Sequence, residues 1–344
     1  MRRPPRADGC RTAAAVALAC ALTAATQQVA RADPMTLTEV RAELERLYHD
    51  SEVATEKYNT VDVQVTQQEK RVRTLNAQVK TAETKLTGLT SLAGAAARAQ
   101  YRSGGLPAEV QFALASDPEH ALDNASLARR AQHSTQNVLT ALTATRKDLR
   151  TRTADASGVL TRLKKNRRTM DAGRKTIEEH IATAKKLESS LAKKQRRQLA
   201  ALEAKAAKDA QAKWVGTGIL EKVGTDATAA GKKAIAYATR QLGKPYVWGA
   251  EGPDSFDCSG LTSQAWLAAG VTIPRTSELQ WAQLQHVPVA AMRPGDLIIY
   301  FSDASHVALY IGDGKIISAP RPGRVVYVSP AGSMEILGVV RPDA

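Results

Sequence analysis

Beyond residue 20 the chain holds one thiol, Cys258, in Phe256-Asp257-Cys258-Ser259-Gly260-Leu261, where an extended aromatic segment gives way to a helical pattern. A thiol in the first turn of a helix faces unpaired backbone N–H groups and the positive end of the helix dipole, which favour the thiolate and can later hold an oxyanion. Such chemistry also needs a base, and residues 231–344 contain two histidines, His286 and His306. His286 lies in Leu284-Gln285-His286-Val287-Pro288, which reads as a loop. His306 opens the β-rich run His306-Val307-Ala308-Leu309-Tyr310-Ile311, and a strand holds a general base more rigidly than a loop does. His306 is therefore the expected base. The plainer role for Cys258 is a small buried core thiol.

A third group is placed by the turn that follows. Gly312-Asp313-Gly314 returns the chain into Lys315-Ile316-Ile317-Ser318. A three-residue loop makes Ser318 the diagonal neighbour of His306 on one face, whereas a two-residue loop puts the two on opposite faces. The serine hydroxyl can accept from an imidazole N–H but carries no charge.

The elements expected to position these groups are short. Lys232 to Leu242 has helical spacing and ends at Gly243. A second helix opens at Asp257-Cys258, buries Leu261, Ala265, Trp266 and Ala269, and closes at Gly270. Leu297 to Phe301 reads as a strand, entered through the turn Arg293-Pro294-Gly295-Asp296. Ten of the fifteen aromatic residues fall in the last 114 positions, so the compact core is expected there.

Upstream the pattern changes. Leu37, Val40, Leu44, Leu47, Ala54, Tyr58, Val61, Val65, Val72, Leu75, Val79, Ala82, Leu86 and Leu89 alternate steps of three and four, with Ser51 and Gln68 as polar interruptions. That is a coiled-coil seam, roughly 80 Å long. A looser repeat runs from Val138 through Leu142, Leu149, Ala156, Val159, Leu163, Met170, Ile177, Ala184 and Leu187 to Leu191, with Thr145, Arg152, Asn166, Gly173 and His180 at seam positions. Tyr101 to Pro107 must break the helix, and shorter helical pieces are expected over 107–115 and 118–130. The simplest arrangement is an antiparallel hairpin over 33–213 with a small helical tip at about 90–130; a parallel homodimer shares the same periodicity. Residues 214–230 read as a linker.

Arg2, Arg3, Arg6 and Arg11 precede an apolar run, Thr12 to Ala25, and Ala30-Arg31-Ala32 supplies a small-x-small cleavage site, so residues 1–32 read as a signal peptide. The run is too short to cross a bilayer of about 30 Å, and no integral membrane segment is expected in the mature chain. With Cys10 and Cys20 removed, no internal disulfide can form. Residues 151–200 hold 14 Lys and Arg against 5 Asp and Glu, whereas 231–344 are balanced at 10 against 9. The basic segment points to anionic partners such as wall polymers, a lipid surface or an acidic helix, or to a solvated lysine-rich face; nucleic acid is not an expected target of an exported chain. No cofactor or metal is expected, because no cluster has ligand spacing.

Five motifs occur in order: Pro245-Tyr246-Val247-Trp248-Gly249, Asp257-Cys258-Ser259-Gly260-Leu261, Pro274-Arg275-Thr276-Ser277, Pro294-Gly295-Asp296-Leu297 and His306-Val307-Ala308-Leu309-Tyr310-Ile311-Gly312. Together they resemble the NlpC-type cell-wall cysteine endopeptidases of the papain-like superfamily, over the last third of the chain. The resemblance implies an α+β fold: a papain-like catalytic head at 231–344, with N-terminal helices packed on an antiparallel sheet, preceded by the long helical hairpin. It implies that Cys258 attacks an amide carbonyl in a peptidoglycan stem peptide, typically between D-glutamate and diaminopimelate. His306 would take the thiol proton and later protonate the leaving amine, with Ser318 at the third catalytic position. Tyr246 would help shape the oxyanion and substrate side, and Asp257, Ser259 and Arg275 would line the cleft and bind the charged ends of the stem peptide. Plainer roles are a core residue for Tyr246, an N-cap for Asp257 and a surface ion pair for Arg275.

The family usually carries histidine, or another polar side chain able to hold the imidazole, where Ser318 stands, and glycine where Ala308 stands. Loss of a strong orienter can cost orders of magnitude, so the alternative is a weakened head that binds stem peptides or recruits other hydrolases. A permuted acyltransferase would place histidine before cysteine, the reverse of the order here. The layout of leader, hairpin and head also resembles the coiled-coil peptidoglycan hydrolases of Gram-positive bacteria, in which the hairpin is understood to meet an FtsEX-type membrane complex and to block the cleft. The implied location is secreted or wall-associated.

Overall fold

The computed structural model describes residues 35–102, 110 and 118–344. The expected leader lies outside them, as do residues 103–109 and 111–117, which hold most of the expected break over 101–107 and of the helical piece over 107–115; Tyr101 and Arg102, expected in the break, are still helical. Two long helices, α1 (Leu37–Arg102) and α2 (Pro118–Ser190), run antiparallel along their shared length. Within the one chain they pack on each other. Val65, Leu75 and Ala82 of α1 and Val159, Leu163 and Ile177 of α2 are buried along the seam. The polar seam positions find partners across it: Asn166 donates to Gln64 at 3.1 Å, Arg152 to Gln78, and Gly173 leaves room for the Tyr58 ring. Pro118 to Arg130, expected as a separate piece, is the first part of α2. No glycine or proline lies between Arg130 and Val138, so nothing stops the helix there.

A break that the sequence does not advertise separates α2 from α3 (Lys193–Val215). Ala192 is extended, and its N–H donates to the Gln195 side chain at 2.8 Å. Leu191 turns inward with Val40, Leu44, Leu47, Ala184 and Leu199, a small core where three helices meet. Burial of those side chains fixes a bend that local propensity does not require.

The remainder is an α+β head, the fold class expected. Helices α4 (Ala229–Thr239), α5 (Cys258–Ala268) and α6 (Ser277–Gln283) precede a six-stranded antiparallel sheet. Its strands are β1 (Gln285–Val287), β2 (Leu297–Tyr300), β3 (His306–Gly312), β4 (Lys315–Ser318), β5 (Tyr327–Pro330) and β6 (Ile336–Arg341), in the order β1-β6-β2-β3-β4-β5. Both faces are buried. Leu297, Ile299, Val307, Leu309 and Ile317 pack with Trp266 and Leu261 of α5 and Ala234 and Ala238 of α4. The alternate residues Ile298, Tyr300, Ala308, Tyr310 and Ile316 pack beneath Trp214 of α3 and Val223.

The stretch 214–230 is consequently no free linker. Trp214 lies so close to Gly332 that a Cβ there would sit 2.6 Å from the tryptophan Cβ. Gly224 N–H donates to the Met292 carbonyl at 2.7 Å, and Thr228 caps α4 by accepting from Gly231 N–H. Gln211 bridges to the Gly314 carbonyl and to the Gly332 N–H. α3 and the segment after it complete the head by covering the second face of the sheet. Among the described residues no helix is long and apolar enough to cross a membrane.

Candidate active site

Cys258 is the first residue of α5, and Asp257 is its N-cap, accepting from Gly260 N–H at 2.6 Å. Gly260 has no alternative at its position, since a Cβ would fall 2.2 Å from the Ala250 carbonyl oxygen. The thiol therefore sits where the helix N-terminus can stabilise negative charge. The Val307 N–H also favours the thiolate. Cys258 and Val307, the residue after His306, belong to one buried cluster.

Ser318 reaches the expected face by an unexpected route. The β3–β4 turn has two residues, Asp313 and Gly314, both at positive φ (52° and 65°). Ile311 bulges out between the pairs Tyr310–Ile316 and Gly312–Lys315, and this extra residue restores the register of a three-residue loop. Ser318 and His306 thus share one face. The Ser318 hydroxyl is buried and makes no hydrogen bond among the described residues, and neither ring nitrogen of His306 has one. His286 belongs to the edge strand β1 rather than to a loop, stacked on Trp281 and bonded to the Trp281 carbonyl at 2.7 Å.

Arg275 is committed to the protein itself. It grips the Asp257 carboxylate with two nitrogens, at 2.7 and 3.0 Å, and reaches Ser259 at 2.8 Å and Glu251 at 2.8 Å. Asp257 is fully buried, so its charge depends on this fork. Replacing Arg275 by leucine is expected to destabilise the head by about 3–5 kcal/mol, because it strands a buried carboxylate; thermal unfolding with unchanged behaviour would contradict that assignment. Tyr246 is likewise buried. Its phenol is pushed well above the ordinary value by burial first, then by the Cys258, Asp257, Glu52 and Glu56 charges around it.

The residues that sequence reasoning missed come from the arm. Between Tyr48 and Asn59 the buried face of α1 rotates away from the seam, and Ser51, Glu52, Thr55, Glu56 and Asn59 lie buried against the head. Glu56 accepts from the Ser259 hydroxyl at 2.8 Å and from Ser277 N–H at 2.8 Å, and its Oε1 lies 3.6 Å from Cys258 Sγ. One turn earlier, Glu52 Oε1 lies 3.4 Å from His306 Nδ1, within ion-pair reach but outside hydrogen-bond geometry. Asn59 donates to Asp257 at 3.1 Å. His49 meets Asp303 at 3.1 Å and the Phe301 ring, Tyr58 packs edge-on against Trp248, and Arg321 stacks 4.0 Å over Tyr48.

One stretch of helix thus seals the thiol and the imidazole, leaving Cys258 2% and His306 1% exposed. No substrate carbonyl can reach the sulfur with α1 in place. The seal is electrostatic as well as steric. Burial pushes the Cys258 thiol well above its ordinary value, and the charges of Glu56, Asp257 and Glu52 push it the same way, against the Val307 N–H. Glu56 itself is raised from 4.5 to about 8, by burial first and by Asp257 second.

A pH dependence follows from Glu56. The covered state binds a proton that the uncovered carboxylate releases at its ordinary value. The stabilisation is fully present below about pH 4.5 and is lost as pH rises through about 8. The thermal midpoint of the covered chain is expected to fall between pH 5 and 8, and Glu56→Gln should flatten that fall. A Glu56→Gln chain with the slope of the parent would contradict the assignment.

Comparison with known proteins bears on the head. Residues 243–336 match the NlpC/P60 family. That stretch is an NlpC/P60 domain. It is 40% identical over 118 residues to a probable endopeptidase of Corynebacterium glutamicum, covering 34% of this chain and 56% of that protein. Against the probable endopeptidase p60 of Listeria monocytogenes the identity is 44% over 91 residues, 26% of this chain and 19% of the relative. The crystal structure of the NlpC/p60 domain of peptidoglycan hydrolase SagA is 33% identical, with a TM-score of 0.31 over 32% of this chain and 97% of that one. The chain spans about half or less of the curated relatives just named, and the matched part is the NlpC/P60 domain together with its flanks.

Proposed function

We propose that this chain is a secreted peptidoglycan endopeptidase of the cysteine type, stored with its cleft closed by its own arm. Cys258, freed of its proton by His306, attacks an amide carbonyl of a stem peptide, with the bond between D-glutamate and diaminopimelate as the expected target. His306 then protonates the leaving amine, and water releases the acyl group from the sulfur. Asp257, Ser259 and Arg275 shape the site, and Tyr246 closes its floor. The observation that carries this reading is the thiol at the N-terminus of α5 with one stretch of α1 lying over both it and the imidazole: Glu56 Oε1 is 3.6 Å from the sulfur and, one turn earlier, Glu52 Oε1 is 3.4 Å from His306 Nδ1. A peptidoglycan substrate fits the NlpC/P60 family, and the names of the curated relatives support the reaction class.

The covered cleft also supports the substrate class. The Glu56 carboxyl group rests on the Ser259 hydroxyl and the Ser277 N–H, 3.6 Å from the sulfur, so a carboxyl group fits next to the reacting atom. A stem peptide supplies one there. In this reading the far end of the arm meets an FtsEX-type membrane complex, whose movement draws α1 off the head. The unbonded Ser318 favours the second reading, a weakened head that binds stem peptides without cutting them. Mass spectrometry of muropeptides after incubation with the uncovered head separates the two: new termini at the D-glutamyl bond support hydrolysis, and binding without new termini supports the alternative.

A further inference from the structure

A charge pattern on the arm takes no part in the cleft. Residues 146–175 carry eleven Lys and Arg against three Asp and Glu, a net +8 of the chain's +14. Within them one pattern occurs twice, in Arg146-Lys147-Asp148-Leu149-Arg150 and Lys164-Lys165-Asn166-Arg167-Arg168: two adjacent cations and a third completing the turn. The offset is eighteen residues, which is five helical turns, so both triplets project from the same side of α2 about 27 Å apart. That side is the outer one, half a turn from Val159, Leu163 and Ile177, which are buried in the seam.

Among the described residues three of the five flanking cations are engaged, Arg162 and Lys175 being the exceptions, and the outer ones are not. Arg152 pairs with Asp148 at 2.8 Å, Arg167 with Glu69 at 2.7 Å and Arg174 with Asp171 at 3.9 Å. The six residues of the triplets are exposed, and none has an ion pair among the described residues. Between the triplets the same side carries Ala154, Ser157 and Thr161, small uncharged residues that leave a smooth track. Like charges one turn apart repel and weaken an isolated helix, so the pattern costs stability unless an anion offsets it.

We infer that the outer side of α2 binds a linear polyanion bearing regularly spaced phosphate groups, laid along the helix and long enough to touch both triplets. Lysine supplies point charges and arginine a two-pronged donor for phosphate oxygens. The track is one helix wide, and its one exposed large apolar neighbour between the triplets, Leu160 at its edge, is too little to seat in a lipid headgroup layer, which sets it apart from a membrane-lying helix. Six contacts release counterions from the polymer, so affinity falls with salt at a log–log slope of about −4.

The test uses the chain from Asp33 onward with fluorescent inorganic polyphosphate longer than 27 Å, and with tripolyphosphate, which is too short to span the triplets. The long probe is expected to bind at least about ten-fold tighter, because its second contact is intramolecular. Lys164→Gln, Lys165→Gln and Arg168→Gln together should cost about ten-fold and abolish the length preference. Lys70→Gln, Arg71→Gln and Arg73→Gln remove the same charge from exposed positions on α1 and should cost less than about two-fold. Circular dichroism checks that both variants keep their helices. Equal losses from the two variants, equal binding of the two probes, absence of binding, or tighter binding to phosphatidylglycerol vesicles than to long polyphosphate at equal phosphate would each overturn the inference.

Discussion

A chain beginning at Lys193 digests wall peptides at least about 10²-fold faster than one beginning at Asp33, with both assayed at equal concentration near pH 7. The magnitude follows from tethering: α1 is held at high effective concentration beside the cleft, and linked contacts of this kind gain about 10²–10⁴ over separate ones. The cover is a set of polar contacts from Tyr48 to Asn59 rather than a large apolar interface. Each hydrogen bond to a charged group contributes about 1.5–3 kcal/mol when desolvated, so the seal is strong and yet can be exchanged for solvent or substrate. Beginning at Lys193 matters. A chain beginning at Gly231 lacks Trp214 and Val223, which cover Ile298, Tyr300 and Tyr310 on the second face of the sheet, and it should be less stable and prone to aggregate.

In that shorter chain, replacing Cys258 by alanine lowers turnover by about 10⁴-fold or more while the thermal midpoint stays within a few degrees. Removing a nucleophile that works as a unit with its base costs about as much as removing the whole unit. Alanine fills nearly the same space at the start of α5, and the Asp257 cap that begins the helix is untouched. Amine release from purified muropeptides is the readout. Undiminished cleavage would remove Cys258 from the reaction.

The chemistry of the head was legible because it lies in local patterns. Asp257-Cys258 announces a helix start, the β-rich runs around His306 and Ser318 announce a hairpin, and five spaced motifs tie them to one family. The turn between β3 and β4 was legible only as two alternatives, since a bulge at Ile311 changes the register without changing the composition. The cover was not legible. Glu52, Thr55, Glu56 and Asn59 recur at helical spacing, and a polar stripe on a helix ordinarily faces water. The polar interruption at Ser51 is the one trace in the repeat, marking where α1 turns its buried side from α2 to the head. The bend at Ala192 and the docking of 214–230 escaped notice for a related reason: both depend on side chains far away in sequence, Leu44 and Leu199 for the first, Gly332 and Met292 for the second.

Two effects of α1 on the thiol act together. It excludes substrate, and it buries the sulfur and sets Glu56 and Glu52 around it, with burial the larger effect, raising the thiol so that it stays protonated. Withdrawal of α1 removes both carboxylates and readmits water, leaving the helix terminus and the Val307 N–H to favour the thiolate. Opening and activation are then one event.

The rate at which iodoacetamide alkylates Cys258, the one cysteine from Asp33 onward, measures that event directly at neutral pH. Slow alkylation in the chain from Asp33, rising at least about ten-fold when Glu52 and Glu56 are both replaced by lysine and further in the chain from Lys193, is the expected result. Equal, rapid alkylation in all three would mean that α1 does not cover the thiol.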